Sequence, residues 1–261
     1  MKKNIIYKSF SSQRKKPKNI KPHDEELFAH EYYKEFEEIY YIEYKDVTIV
    51  NQSVYSLKRL KFFTEYTYFY KPKYLRLLKD IFKNLIYSTS SKDLLDEGIW
   101  ITDNKSSVYF HWLCDALPRY SSLPKEYKHL PVLIPKVYDI DWIKEFLVHL
   151  GINFTIFDSN KKIRVKKIII PSYTAPSGNF HNTSIHELRN SLFEMSSTKT
   201  KTQDNYERVW ICMSKHRRPI RNIDEIRPIL KKYNFKEVVF ESLSLVEKLN
   251  LMKNVNILAG A

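Results

Sequence analysis

Two stretches of the sequence bring together side chains able to do chemistry. The first is a loop in which Lys215, His216, Arg217, Arg218 and Arg221 fall within seven positions. Guanidinium forks beside the free N–H groups of a helix start suit a phosphate or diphosphate. A merely solvated charged loop is the plainer reading of the same residues. The second stretch is VYFHWLCDALPRYSSLP from Val108, which carries His111, Asp115 and Arg119 at four-residue spacing. On a helix these three share one face, so an imidazole, a carboxylate and a guanidinium line one stripe. That stripe is either an acid–base site or a salt-bridged surface on which Asp115 pairs with Arg119. Pro118 is expected to bend or end the helix after Leu117, which leaves Arg119 near its end.

The basic loop needs a strand before it and a helix after it, and the sequence supplies both. Val209 to Met213 is a short apolar run with β-branched and aromatic content. Asn222 and Glu225 have the spacing of a reciprocal helix cap, and Ile226, Ile229, Leu230 and Tyr233 make the apolar stripe behind it. Asn234 suits a left-handed stop. Val238-Val239-Phe240 is a second strand, ending at Glu241. Ser244 with Glu247 opens another helix through Lys253, and Val255 to Leu258 is a third strand. Strands alternating with amphipathic helices predict a parallel sheet, a half-Rossmann unit with the cations at the carboxyl end of its first strand.

The helix of His111 also sits in an alternating pattern. A short strand from Glu97 to Thr102 ends in a polar turn before it. Val132 to Pro135, Phe154 to Phe157 and Ile168 to Pro171 read as strands after it. Asp141 to Leu150 is a helix with Gly151 as its stop. This is a first Rossmann-like domain, followed by a polar loop, a helix from Ser184 to Met195 and a Thr/Lys-rich connector. Upstream, Asp46 to Tyr55 suggests two strands about a turn at Asn51, and Tyr74 to Tyr87 a basic amphipathic helix. The aromatic run Phe62 to Tyr70 is expected to pack in a β-rich core. Residues 1–22, with five cations from Arg14 to Lys21, read as a loosely ordered arm. The fold class is therefore α/β with two Rossmann-like domains. Boundaries fall at 1–94 (arm and β/helical extension), 95–183 (first domain), 184–205 (connector) and 206–261 (partial second domain).

The bulk composition constrains the rest. A hydrophobic content of 43% and an aromatic content of 15% over 261 residues are enough for a packed core. The net charge of +14 favours anionic partners: phosphorylated molecules, nucleic acid or an acidic membrane face. Cys114 and Cys212 alone make neither a disulfide framework nor a zinc site, and a reducing compartment is expected. The N-terminus lacks the apolar core of a signal peptide, and no apolar run is long enough to span a bilayer. A cytoplasmic protein is expected, with peripheral contact to an anionic membrane.

Two motifs resemble glycosyltransferase family 61. YFHWLCDALPR, Tyr109 to Arg119, is similar to the family's Asn-Tyr-x-His-Trp-x-x-Asp-x-Leu-Pro-Arg signature. Ser214, Arg217, Arg218, Arg221, Asn222, Phe235, Val238, Glu241, Leu243 and Ser244 fit the pattern of its C-terminal half. Lys215 stands where the family has Arg. The resemblance implies a GT-B pair of facing Rossmann-like domains. It also implies a nucleotide-sugar donor, inversion without an essential metal, and a glycan or glycolipid acceptor in surface or capsular polysaccharide assembly. Arg217, Arg221, Lys215 and Arg218 are then assigned to the donor diphosphate and Glu241 to the nucleoside. Either Asp115 or His111 serves as base, with Tyr109, Trp112 and Arg119 supporting the acceptor side. The chain stops inside the last motif, so a truncated protein of weak activity is expected. The alternatives are a basic nucleic-acid-binding protein and a non-catalytic remnant.

Overall fold

The computed structural model describes residues 2–50, 52–56, 58–69, 75, 78, 82, 92–158, 161–174, 180–196, 206–212 and 220–260. The chain divides into two compact units, residues 1–188 and 189–261.

The first unit opens with β1 (Asn4–Tyr7), β2 (Phe10–Gln13), α1 (Glu25–Tyr32) and β3 (Tyr33–Phe36), which replace the expected loose arm. Aromatic contacts tie this segment down. Phe10 stacks on Phe36 at 4.5 Å, across the β2–β3 pair, and the Tyr7 hydroxyl donates to Glu187. Counting cations missed this, because those rings are spaced among polar residues.

The long strand β4 (Ile39–Val50) turns back into β5 (Ser53–Ser56) and β6 (Lys61–Phe62), as the reading of residues 46–55 anticipates. A short helix α2 (Thr64–Thr67) follows. The predicted helix at Tyr74 to Tyr87 lies, apart from positions 75, 78 and 82, outside the described residues. Then come β7 (Lys92–Ile99) and α3, made of Tyr109–His111, Trp112–Ala116 and Leu117–Ser121. They lead to β8 (Val132–Pro135), α4 (Asp141–His149), β9 (Phe154–Phe157), β10 (Lys162–Pro171) and α5 (Asn182–Ser196), which crosses the division between units.

These strands form one mixed sheet in the order β6-β5-β4-β10-β7-β8-β9, with β1 added to β4. β10, β7, β8 and β9 run parallel, whereas β4 pairs antiparallel with β10 over nine residue pairs from Lys162↔Val50 to Pro171↔Tyr41. The N-terminal segment thus completes the sheet of the first unit. Ile42, Val47 and Ile49 of β4 share a core with Val165, Ile168 and Ile170 of β10 and with Phe63, Tyr66, Trp100 and Leu133. Each buried side chain of this size contributes about 1.5–3 kcal/mol. β7 approaches β8 so closely that a Cβ on Gly98 would stand 2.7 Å from Leu133.

The second unit holds β11 (Arg208–Cys212), α6 (Ile223–Lys232), β12 (Lys236–Val239), α7 (Leu245–Asn254) and β13 (Ile257–Gly260). β11 pairs in parallel with both neighbours, in the order β12-β11-β13. This is the strand–helix–strand–helix–strand pattern expected. Ser244 accepts from the Glu247 N–H and Glu247 accepts from the Ser244 N–H, the predicted capping box. Asn234 has φ 55°. Asn222, in contrast, makes no side-chain cap; its amide reaches Glu225 Oε2 at 3.4 Å instead. Among the described residues no helix is long and apolar enough to cross a membrane.

Candidate functional site

Chain order breaks between β10 and β7, and open α/β sheets carry ligands at the carboxyl ends of strands beside such a break. Here β7 runs out into the buried residues Trp100, Ile101, Thr102 and Asp103, and β10 into Ser172, Tyr173 and Thr174. Asp103 anchors the turn after β7. Its Oδ1 accepts from the Lys105 N–H at 2.7 Å and from the Ser106 hydroxyl at 3.2 Å. Its Oδ2 accepts from the Tyr173 hydroxyl at 2.8 Å, which joins the two strand ends.

α3 begins six residues later and crosses this region. Pro118 has no N–H, and its ring would meet the carbonyl four residues back in a regular α-helix. The turn Trp112–Ala116 is therefore widened into a π-helix, in which the Leu117 N–H donates to the Trp112 carbonyl. The helix then continues through Pro118 to Ser121 rather than ending at Leu117. Such single π-turns concentrate at functional sites.

The widened turn holds Asp115 Oδ2 2.6 Å from His111 Nδ1. The Asp115 side chain is 1% exposed and that of His111 19%. Burial pushes the Asp115 carboxyl above its usual range, and the hydrogen bond from His111 opposes this. The other oxygen, Oδ1, is buried with no hydrogen-bond partner among the described residues. Opposite an ionised carboxylate, which can only accept, a neutral imidazole carries its proton on Nδ1 and presents a lone pair at Nε2. Phe69 and Phe110 meet the imidazole edge-on, with centroids at 5.1 and 5.5 Å. Such a pair can take a proton from a hydroxyl at Nε2.

Arg119 does not join this pair. It is fully buried and directed at main-chain carbonyls: Nε and Nη2 donate to Pro171, and Nη1 to Ile101 and Tyr66. Its guanidinium lies 4.6 Å from the Tyr173 ring centroid. It therefore clasps the ends of β7 and β10 together. Tyr109 packs on Trp142 and Phe146, and Trp112 is fully buried. Burial raises the Tyr109 hydroxyl to about 12.

In the second unit, Lys215, Arg217 and Arg218 lie outside the described residues. Arg221 is exposed just before α6, and Glu241 is exposed in the turn Phe240–Ser242 that ends β12. Within the aromatic run of the first unit, Phe63, Tyr66 and Tyr68 are packed inward, as a β-rich core requires. Sequence reasoning missed Asp103, Tyr173 and Phe69. A polar turn after a strand was the one signal for Asp103, and nothing local marks the other two.

A paired histidine and aspartate at the carboxyl ends of parallel strands stand where open α/β sheets carry their ligands. The model of the glycosyltransferase 61 family matches residues 109–261, more than half of the chain, starting at the first residue of α3. The chain belongs to that family and is a glycosyltransferase. No curated protein matches it at a significant level.

Proposed function

We propose that the chain moves a sugar from a nucleotide-sugar donor to a glycan or glycolipid acceptor with inversion at the anomeric carbon. The observation that carries this reading is the 2.6 Å contact between His111 and Asp115 inside the matched family segment. His111 is the base and Asp115 its positioning partner, because Asp115 is buried behind the imidazole. The acceptor oxygen bonds to the anomeric carbon as the bond from that carbon to the diphosphate oxygen breaks. The hydroxyl proton passes to His111 Nε2, and the leaving diphosphate keeps the electron pair.

The departing charge falls to the cations after β11. Arg217 and Arg221 hold the diphosphate with Lys215 and Arg218 beside them, so no metal ion is required. Glu241, at the end of β12, accepts from the ribose hydroxyls. β11 is the middle strand of its sheet, and its carboxyl end is where such a ligand binds. This reading supports a GT-B arrangement and a place at the cytoplasmic side of a surface- or capsular-polysaccharide assembly, with basic residues against an anionic membrane. The test is transfer from a panel of nucleotide sugars to candidate acceptors. Activity lost in His111→Ala, with donor binding kept, supports the reading; activity unchanged in that variant overturns it.

A further inference from the structure

A cavity of about 420 Å³ is walled by the N-terminal segment and the end of β10, and its Phe69 wall also meets the His111 ring. Its volume is in the range of small-molecule sites, about 300–1,000 Å³. Most of its walls come from residues before Tyr109, outside the matched family segment. Phe36, Tyr40, Phe69 and Tyr173 supply aromatic surface. Glu35, Glu37, Glu38 and Glu65 supply carboxylates, of which Glu38 pairs with Lys3 at 2.7 Å and Glu65 with Lys61 at 3.3 Å, and Lys34 is also in the lining. Two walls are shared with the site: Phe69 meets the His111 ring at 5.1 Å, and Tyr173 binds Asp103.

We infer that this cavity binds a neutral sugar ring of the acceptor, one ring away from the sugar whose hydroxyl reacts at His111. Carboxylates accept strongly from sugar hydroxyls, and aromatic faces cover the apolar C–H face of a pyranose. Glu35 and Glu37, exposed beside these ion pairs, disfavour a diphosphate or an acidic glycan on this side. That the sugar is the acceptor rests on the transfer reading above; that the cavity takes a saccharide does not.

The test is binding of lactose, cellobiose, maltose and diacetylchitobiose to the full chain by saturation-transfer NMR. A hyaluronan tetrasaccharide serves as the acidic probe, and UDP and GDP as donor-side probes. Glu37→Gln changes an exposed side chain and Tyr40→Leu a half-buried one, so a fold defect in the second leaves the first informative. The expected result is a neutral disaccharide whose affinity falls roughly tenfold in either variant, as loss of a hydrogen bond to a charged group implies. Nucleotide binding should stay unchanged. Absence of binding by all four disaccharides, equal binding of the acidic probe, or indifference to both variants overturns the inference. Cavity-dependent saccharide binding by a chain that transfers no sugar upholds the cavity and overturns only the transfer reading.

Discussion

His111 Nδ1 stands 2.6 Å from Asp115 Oδ2 across one π-helical turn, and only the histidine of the two reaches solvent appreciably. In the proposed mechanism the buried partner orients and the exposed partner exchanges protons. Asp115→Asn should therefore lower the transfer rate by about 10²–10⁴, the usual contribution of a general base. His111→Ala should cost a similar factor, and the double variant little more, because the two act as one unit. Steady-state kinetics of the three variants check this, and additive losses would count against the pairing.

Asp115 also sets a pH signature. Its carboxyl is raised above 3.8, chiefly by burial. For a group raised on folding, the stabilising contribution is complete below the unfolded value and is lost as pH rises through the folded one. Asp115→Asn removes that titration. The variant should lose stability less steeply than the natural chain between about pH 4 and neutrality. Denaturant midpoints measured across that range give the comparison.

Arg119 offers a contrast between reading a motif and reading a structure. Its spacing placed it with His111 and Asp115, yet its four hydrogen bonds go to the carbonyls of Pro171, Tyr66 and Ile101. Arg119→Met should strand these buried acceptors and lower stability by about 3 kcal/mol or more, since each costs about 1–3 kcal/mol. Lysine should rescue little of this, lacking the planar fork. Chemical denaturation reads the loss directly. A variant as stable as the natural chain would remove Arg119 from its role as a clasp.

The legible parts of this chain were those specified locally. The Ser244–Glu247 box, the Asn234 stop and the strands Val132–Pro135 and Phe154–Phe157 follow from residues within a few positions of one another. The His111–Asp115 pair was legible because a helical repeat brings them together, although which one is buried was not. Contacts between distant segments were hidden. β4 pairs with β10 across more than a hundred residues, and Tyr173 meets Asp103 across seventy. No local pattern encodes such a match; it is decided by which apolar faces bury each other. The same holds for the N-terminal strands, where Phe10 finds Phe36. The π-turn was hidden because a proline signals a bent or ended helix, whereas this helix widens to admit Pro118.

Gly98 reports on the β7–β8 contact. A methyl group there would meet the Leu133 side chain at 2.7–2.8 Å, and Leu133 is fully buried. Gly98→Ala should destabilise by about 1–3 kcal/mol through overpacking. Combining it with Leu133→Ala should recover part of the loss, since the second change removes the atoms that clash. A double-mutant cycle in urea decides the matter: purely additive effects would mean that the strands do not approach this closely.

The donor loop gives a test that needs no acceptor. β11 is the central strand of its sheet, and Arg221 lies exposed where the chain enters α6. A nucleotide diphosphate held there should stabilise the chain, by about 2.7 kcal/mol at a hundred times its dissociation constant. The guanidinium groups confer charge and bidentate geometry, so Arg217→Ala with Arg221→Ala should abolish the shift, while Lys215→Arg should strengthen it. Glu241→Gln should weaken nucleoside diphosphates without affecting pyrophosphate, because its proposed partner is the ribose. Thermal melts with UDP, GDP, CDP and pyrophosphate separate these effects. Stabilisation by one nucleoside diphosphate alone would identify the donor's base. Equal stabilisation by all of them and by pyrophosphate would reduce the loop to a general anion site and leave Glu241 without a role.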